Sequence, residues 1–147
     1  MTKFVYKMEN ILDIKYRLEE QAKINYGNAQ MVLRKEEAKL NKLQEQYNKL
    51  QDKLTSFIQS KINLIEIQQC KEGLEIYKLH IRQQEKGVEV ALFNVKDTRR
   101  KLEQSMIERK THEKLKEKAK ETYMLEYEAH QQKMIDEWKG YYKKPRK

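Results

Sequence analysis

The residues with chemistry to offer are few and scattered. Histidine occurs at His80, His112 and His130, and cysteine only at Cys70. A zinc site needs ligands at repeating short spacings such as a paired Cys or an H-E-x-x-H turn. These four residues have neither, so each histidine reads as a seam or solvated side chain and Cys70 as a small hydrophobe. The adjacent carboxylates Glu19-Glu20 and Glu36-Glu37 point in different directions on a helix, so they are no acid/base pair. There is no G-x-x-x-x-G-K-[ST] loop and no glycine cluster to cradle a phosphate. Two helices side by side also enclose no pocket that would shift a pKa or exclude water. The expectation is a protein that is not an enzyme, with no catalytic residue, no metal, no cofactor and no small-molecule substrate.

The elements that carry these residues are helical. Of 147 residues, 37% are charged and only 38% hydrophobic, too little apolar material for an ordinary globular core. The one proline is Pro145 and the four glycines, Gly27, Gly73, Gly87 and Gly140, are isolated. A proline costs a helix interior about 3 kcal/mol, so its absence over the preceding residues permits very long helices.

Apolar residues at Leu33, Leu40, Leu43, Tyr47, Leu50, Leu54 and Phe57 step alternately by three and four from Leu40 onward, a heptad stripe. Traced backwards it passes Glu36, Ala29, Tyr26 and Ala22. Leu18, Ile14 and Ile11 then carry it on after a stutter, which unwinds a supercoil locally. A second stripe runs through Ile67, Cys70, Leu74, Tyr77, Ile81, Gln84, Val88, Ala91, Val95, Thr98 and Leu102. It weakens at Ser105, Arg109 and His112, then resumes through Leu115, Ala119, Tyr123, Tyr127, Met134 and Trp138.

The phase breaks over residues 55–63, where Ser and Asn favour turns and caps. Folding there gives an all-α antiparallel coiled-coil hairpin in one domain. Helix 1 covers about 8–57, the turn about 58–63, helix 2 about 64–138, and a basic tail 139–147. At 1.5 Å per residue the helices are about 75 Å and about 110 Å long. Partners then have residue numbers totalling about 120: Leu50 meets Cys70, Leu33 meets Val88, Leu18 meets Leu102 and Ile11 lies near Arg109. The two polar interruptions, Glu36 and Gln84, also meet, as a register-specifying layer would. One unbroken helix is the alternative. Helix 2 overhangs from about His112, leaving an apolar seam with no internal partner, which reads as a docking surface.

Residues 1–16 carry charges throughout and lack the apolar stretch of a secretory signal, and no run approaches the length of a membrane span. A lone cysteine fits a reduced thiol in a cytoplasmic protein. The net charge of +9 raises nucleic acid, with Lys96, Arg99, Arg100, Lys101, Arg109 and Lys110 as its contacts. Interleaving such as Glu113-Lys114-Leu115-Lys116-Glu117-Lys118 is how a solvated helix face looks, and no nucleic acid is expected.

The run Phe4-Val5-Tyr6-Lys7-Met8-Glu9-Asn10-Ile11-Leu12-Asp13-Ile14-Lys15, followed by Glu19-Glu20-Gln21-Ala22-Lys23, resembles the start of the flagellar FliJ family of type III export proteins. Met134-Ile135-Asp136-Glu137-Trp138 resembles a signature near that family's C-terminus. The resemblance implies a hairpin similar to the central stalk of rotary ATPases. It would insert into the hexameric flagellar export ATPase, reach the export gate protein, help couple ATP hydrolysis to gate opening and escort export chaperones. The location implied is cytoplasmic, peripheral at the membrane face of the flagellar base. Gate contacts would fall on Leu40, Leu43, Tyr47, Cys70, Leu74, Tyr77 and Ile81, although the family has an aromatic where Cys70 stands. The ring would be met at Met8, Ile11, Leu12, Tyr127, Met134, Ile135 and Trp138. A structural spacer is the competing reading, and such a spacer has no use for an apolar overhang.

Overall fold

The computed structural model describes residues 3–60 and 63–142. Two helices account for nearly all of them: α1, Glu9–Gln59, and α2, Leu64–Tyr142. They form the antiparallel coiled-coil hairpin expected, with α2 overhanging at its C-terminal end. At the close of α1, the Ser60 amide and hydroxyl both donate to the Ser56 carbonyl, at 3.0 and 2.6 Å. Asn63 then caps α2, its Oδ1 accepting from the Ile65 amide at 3.1 Å, which satisfies one of the donors a helix start leaves open. The turn is thus shorter than expected at its α1 side, and residues 61–62 lie outside the described residues. Helix α2 runs past Gly140 to Tyr142. The first four residues of the expected basic tail are therefore helical, and residues 143–147 lie outside the described residues.

The hairpin comprises two compact units. The unit spanning Gln21–Leu102 carries the turn. Its seam is the one expected: every stripe position from Ala22 to Phe57 and from Ile67 to Leu102 is buried or half-buried. Ala22, Cys70, Leu74 and Ala91 are the buried apolar residues. In a two-stranded coil the edges of each knob stay wet, so few residues are fully enclosed. Gly73 lets the helices approach closely, for a Cβ there would sit 2.9 Å from Leu50 Cδ2. Glu36 and Gln84 do meet: Gln84 Nε2 donates to the Glu36 carboxylate and, at 2.9 Å, to the Glu36 carbonyl.

The other unit joins the described parts of Met1–Glu20 and Glu103–Lys147. Here the stripe differs from expectation. Leu18, Ile14 and Ile11 are exposed, at 49%, 51% and 39%. The buried positions are Leu12, at 2%, and Glu19, at 5%. The heptad continues unbroken from Ala22 through Glu19, Lys15 and Leu12, without a stutter. Leu18, expected in the seam, therefore lies outside it. The physical reason is Arg109, which neutralises Glu19 and so allows a carboxylate where an apolar residue would be expected.

Residues 3–8 are not helical, but Phe4 among them lies against α2. The Phe4 and Tyr123 rings stand 5.3 Å apart, and Lys116 Nζ reaches Glu9 Oε2 at 2.8 Å. Pairing therefore extends well beyond His112, and Leu115, expected in the seam, is exposed. Tyr123 and Tyr127 remain half-buried, and from Glu128 to Tyr141 every side chain is exposed. The overhang begins after Tyr127.

Candidate docking surfaces

The overhanging end of α2 carries apolar residues at helical spacing. Met134, Ile135 and Trp138 recur at one, three and four residues, so they share a face, and all are exposed, Trp138 at 65%. Apolar groups this large are normally withdrawn from water, at about 1.5–3 kcal/mol each. Tyr127 begins the same stretch, half-buried. Of the residues expected beside it from the N-terminal segment, Met8 and Ile11 are exposed, whereas Leu12 is the most enclosed side chain described. Leu12 packs the hairpin and presents no surface.

Sequence reasoning missed the polar cluster in this unit. Arg109 Nε and Nη2 donate to the two Glu19 oxygens at 2.6 and 3.2 Å, and its Nη1 donates to Glu113 Oε2 at 3.2 Å. Tyr16 Oη donates to the other Glu113 oxygen. The phenol hydrogen bond comes first, and Arg109 adds to it, in holding the Glu113 carboxyl below its ordinary range. The same hydrogen bond raises the Tyr16 phenol. The signal was present in the sequence: Glu19 stands at heptad spacing from Ala22 and Tyr26, and Arg109 and Glu113 are four apart.

In the unit of the turn, the seven residues expected to meet an export gate all lie on the seam. Cys70 and Leu74 are buried, and Leu40, Leu43, Tyr47, Tyr77 and Ile81 are half-buried. Tyr77 shows an edge in a groove of about 330 Å³ lined also by Gln46, Lys49, Leu50 and Lys53. Large apolar groups near the turn that the sequence reading passed over, Ile58, Leu64 and Ile65, are exposed.

Of the cations considered for nucleic acid, Arg100 and Lys101 both bind Asp97, at 3.1 Å each, and Arg109 is held by Glu19. Among the described residues no group of three His, Cys, Asp or Glu side chains could hold a metal ion. No described helix is long and apolar enough to cross a membrane.

A solved structure, that of a putative YscO homolog, CT670, from Chlamydia trachomatis, is similar in fold. It has a TM-score of 0.54 and 20% identity, over 94% of this chain and 93% of that one. No curated protein matches the sequence. The family described as flagellar FliJ protein matches residues 4–142, the whole paired region and the overhang included, and the chain belongs to that family.

Proposed function

We propose that this protein acts as the stalk of a flagellar type III export ATPase. As a family member it is a component of flagellar type III export. In the proposed role the unit holding both chain ends enters the hexameric ATPase ring, and the unit of the turn meets the export gate protein. Ring contacts fall on Met8, Ile11, Tyr127, Met134, Ile135 and Trp138, while Leu12 is buried and packs the hairpin. Gate contacts fall on the edges of Leu40, Leu43, Tyr47, Tyr77 and Ile81, with Cys70 and Leu74 setting their spacing. Coupling of ATP hydrolysis to gate opening and escort of export chaperones complete the role, carried out in the cytoplasm at the membrane face of the flagellar base. The protein contributes no catalytic group of its own.

The observation that carries this reading is the overhang. A spacer gains nothing from Met134, Ile135 and Trp138 held in water on a helix that outlasts its partner, whereas a docking helix requires such a face. The test is a binding titration between the purified protein and the export ATPase of the same flagellar system. A chain truncated after Tyr127 keeps the Phe4–Tyr123 contact and should keep a Tm close to that of the full chain, with only the helix of the removed stretch lost, while losing most of its affinity. Undiminished affinity would overturn the proposed orientation.

A further inference from the structure

Gly27, Gly73 and Gly87 lie in the unit of the turn, and packing accounts for the last two. A Cβ at Gly73 would stand 2.9 Å from Leu50 Cδ2, and one at Gly87 3.3 Å from the Glu36 carboxylate. Gly27 differs. A Cβ there would meet nothing within 4 Å, and the residue is exposed. Its surroundings would accept an alanine, which holds a helix better. Asn25, Tyr26 and Asn28 are weak helix formers as well, so four such residues stand in succession. Strong formers bracket them: Glu19-Glu20-Gln21-Ala22-Lys23 before, and Arg34-Lys35-Glu36-Glu37-Ala38-Lys39 after.

The register set by Glu36 on Gln84 and by Leu50 on Gly73 brings residues 92–98 of α2 alongside this stretch. The same weakness recurs there. Phe93, Asn94, Val95, Asp97 and Thr98 all rank low as helix formers. The Thr98 hydroxyl donates to the Asn94 carbonyl at 2.7 Å and to the Val95 carbonyl at 3.1 Å, bonds that compete with the backbone ladder and tend to bend a helix. Thr111 and Thr122 bond back in a similar way, but mostly strong formers surround them. Asp97 directs its carboxylate forward to Arg100 and Lys101, which supports the next turn of α2 and bounds the weak stretch.

Packing normally compensates for low propensity, and here it has little to offer. The seam at this level is lined by Ala22, Ala29, Ala91 and Thr98, with Tyr26 and Val95 as its larger members, both half-buried. Toward the turn the seam is built instead from Leu33, Leu40, Leu43, Leu50, Leu74 and Ile81. Stabilisation by burial follows the apolar area removed from water, so the alanine layers hold the two strands more weakly.

We infer that the hairpin carries a soft joint at residues 24–29 and 92–98, where both strands open together while the pairing toward the turn stays closed. Movement is drawn from the least stable part of a structure, so a load on the rod is taken up at this level. The joint is a property of the chain and is independent of the ring and gate assignments.

Hydrogen exchange of the full chain, followed by mass spectrometry, tests it. Amides of residues 24–29 and 92–98 should exchange at least about tenfold faster than those of 36–50 and 70–88. Gly27→Ala should slow the α1 stretch about fivefold. It should slow residues 92–98 by a similar factor, although nothing in α2 has changed. Asn41→Ala, a helix-strengthening change at an exposed position nearer the turn, should leave both stretches as they were. Uniform exchange along the unit overturns the inference. So does a Gly27→Ala effect confined to α1, which would mean one weak helical turn and no joint. An equal effect of Asn41→Ala would overturn it too, since the whole unit would then be opening at once.

Discussion

The Glu19 carboxylate is gripped by Arg109 through two hydrogen bonds, at 2.6 and 3.2 Å, across the seam of the hairpin. Side chains on a helix lean toward its own N-terminus. In an antiparallel pair, residues staggered along the axis therefore lean toward each other. Arg109 can in this way reach past its opposite layer to Glu19. Arginine suits the role because its planar fork matches both oxygens.

Breaking this pair on one side leaves a charge in the seam without its partner. Arg109→Leu or Glu19→Leu alone should lower Tm by several degrees. The double change, which replaces the ion pair by two apolar side chains, should recover most or all of the loss, as is common for buried pairs. Thermal melts followed by circular dichroism at one protein concentration decide it. Losses that simply add in the double variant would mean that the two residues act separately.

The same cluster sets a pH dependence at both ends. The folded Glu113 carboxyl lies below its ordinary value of 4.5. Its contribution is therefore complete above that pH and is lost as pH falls through the lowered folded value. Asp97 adds a limb of the same sign, held down first by Lys101 and then by Arg100. The Tyr16 phenol is raised above 10.0, so its contribution is complete below pH 10 and is lost as pH rises through the folded value. Tyr16→Phe should narrow the gap to wild type at alkaline pH, and Glu113→Gln should narrow it in acid. An unchanged Tm difference between wild type and Tyr16→Phe from neutral pH to well above 10 would dismiss the link.

The Glu36–Gln84 layer in the other unit invites a different expectation. Polar layers inside a seam often specify register at a cost in stability. Glu36→Leu with Gln84→Leu should raise Tm and at the same time admit oligomers or slipped pairings, seen by sedimentation. Cysteines placed at 33 and 88, with Cys70 replaced by alanine, should join within one chain in the parent and less completely in the leucine variant. A variant that melts lower and stays strictly monomeric would give the layer some other role.

The unit of the turn was legible in the sequence because almost every seam position there is apolar or small, so periodicity and burial coincide. Glu36 and Gln84 stood out as partners for the same reason. In the unit of the chain ends the two part company. Lys15 and Glu19 occupy the seam while Ile11, Ile14 and Leu18 sit on its flank, so a count of apolar residues picks the wrong stripe. A charge belongs in a seam only when its partner is known, and that partner, Arg109, is 90 residues away. The start of the overhang was misplaced for a related reason. Residues 3–8 prolong the pairing without being helical, through Phe4 on Tyr123, and helical periodicity carries no record of such a contact.

The proposed polarity of the stalk yields the sharpest comparison. A few anchors usually dominate an interface, and tryptophan is prominent among them. Trp138 is 65% exposed, so truncating it opens no cavity in the hairpin. Trp138→Ala and Ile135→Ala should each weaken binding to the export ATPase, Trp138→Ala by about tenfold or more, with helix content and Tm close to wild type. Changes at Tyr77 and Leu74 should act on the gate partner and leave ATPase affinity alone. Leu74 is buried in the seam, so Leu74→Ala should also lower Tm, and gate binding by that variant has to be read well below its melting range. Tyr77, half-buried with an edge in the groove beside Lys49 and Lys53, gives the cleaner gate variant. If Trp138→Ala leaves ATPase binding untouched while Tyr77→Ala reduces it, the stalk is oriented the other way, with the turn in the ring and the overhang toward the gate.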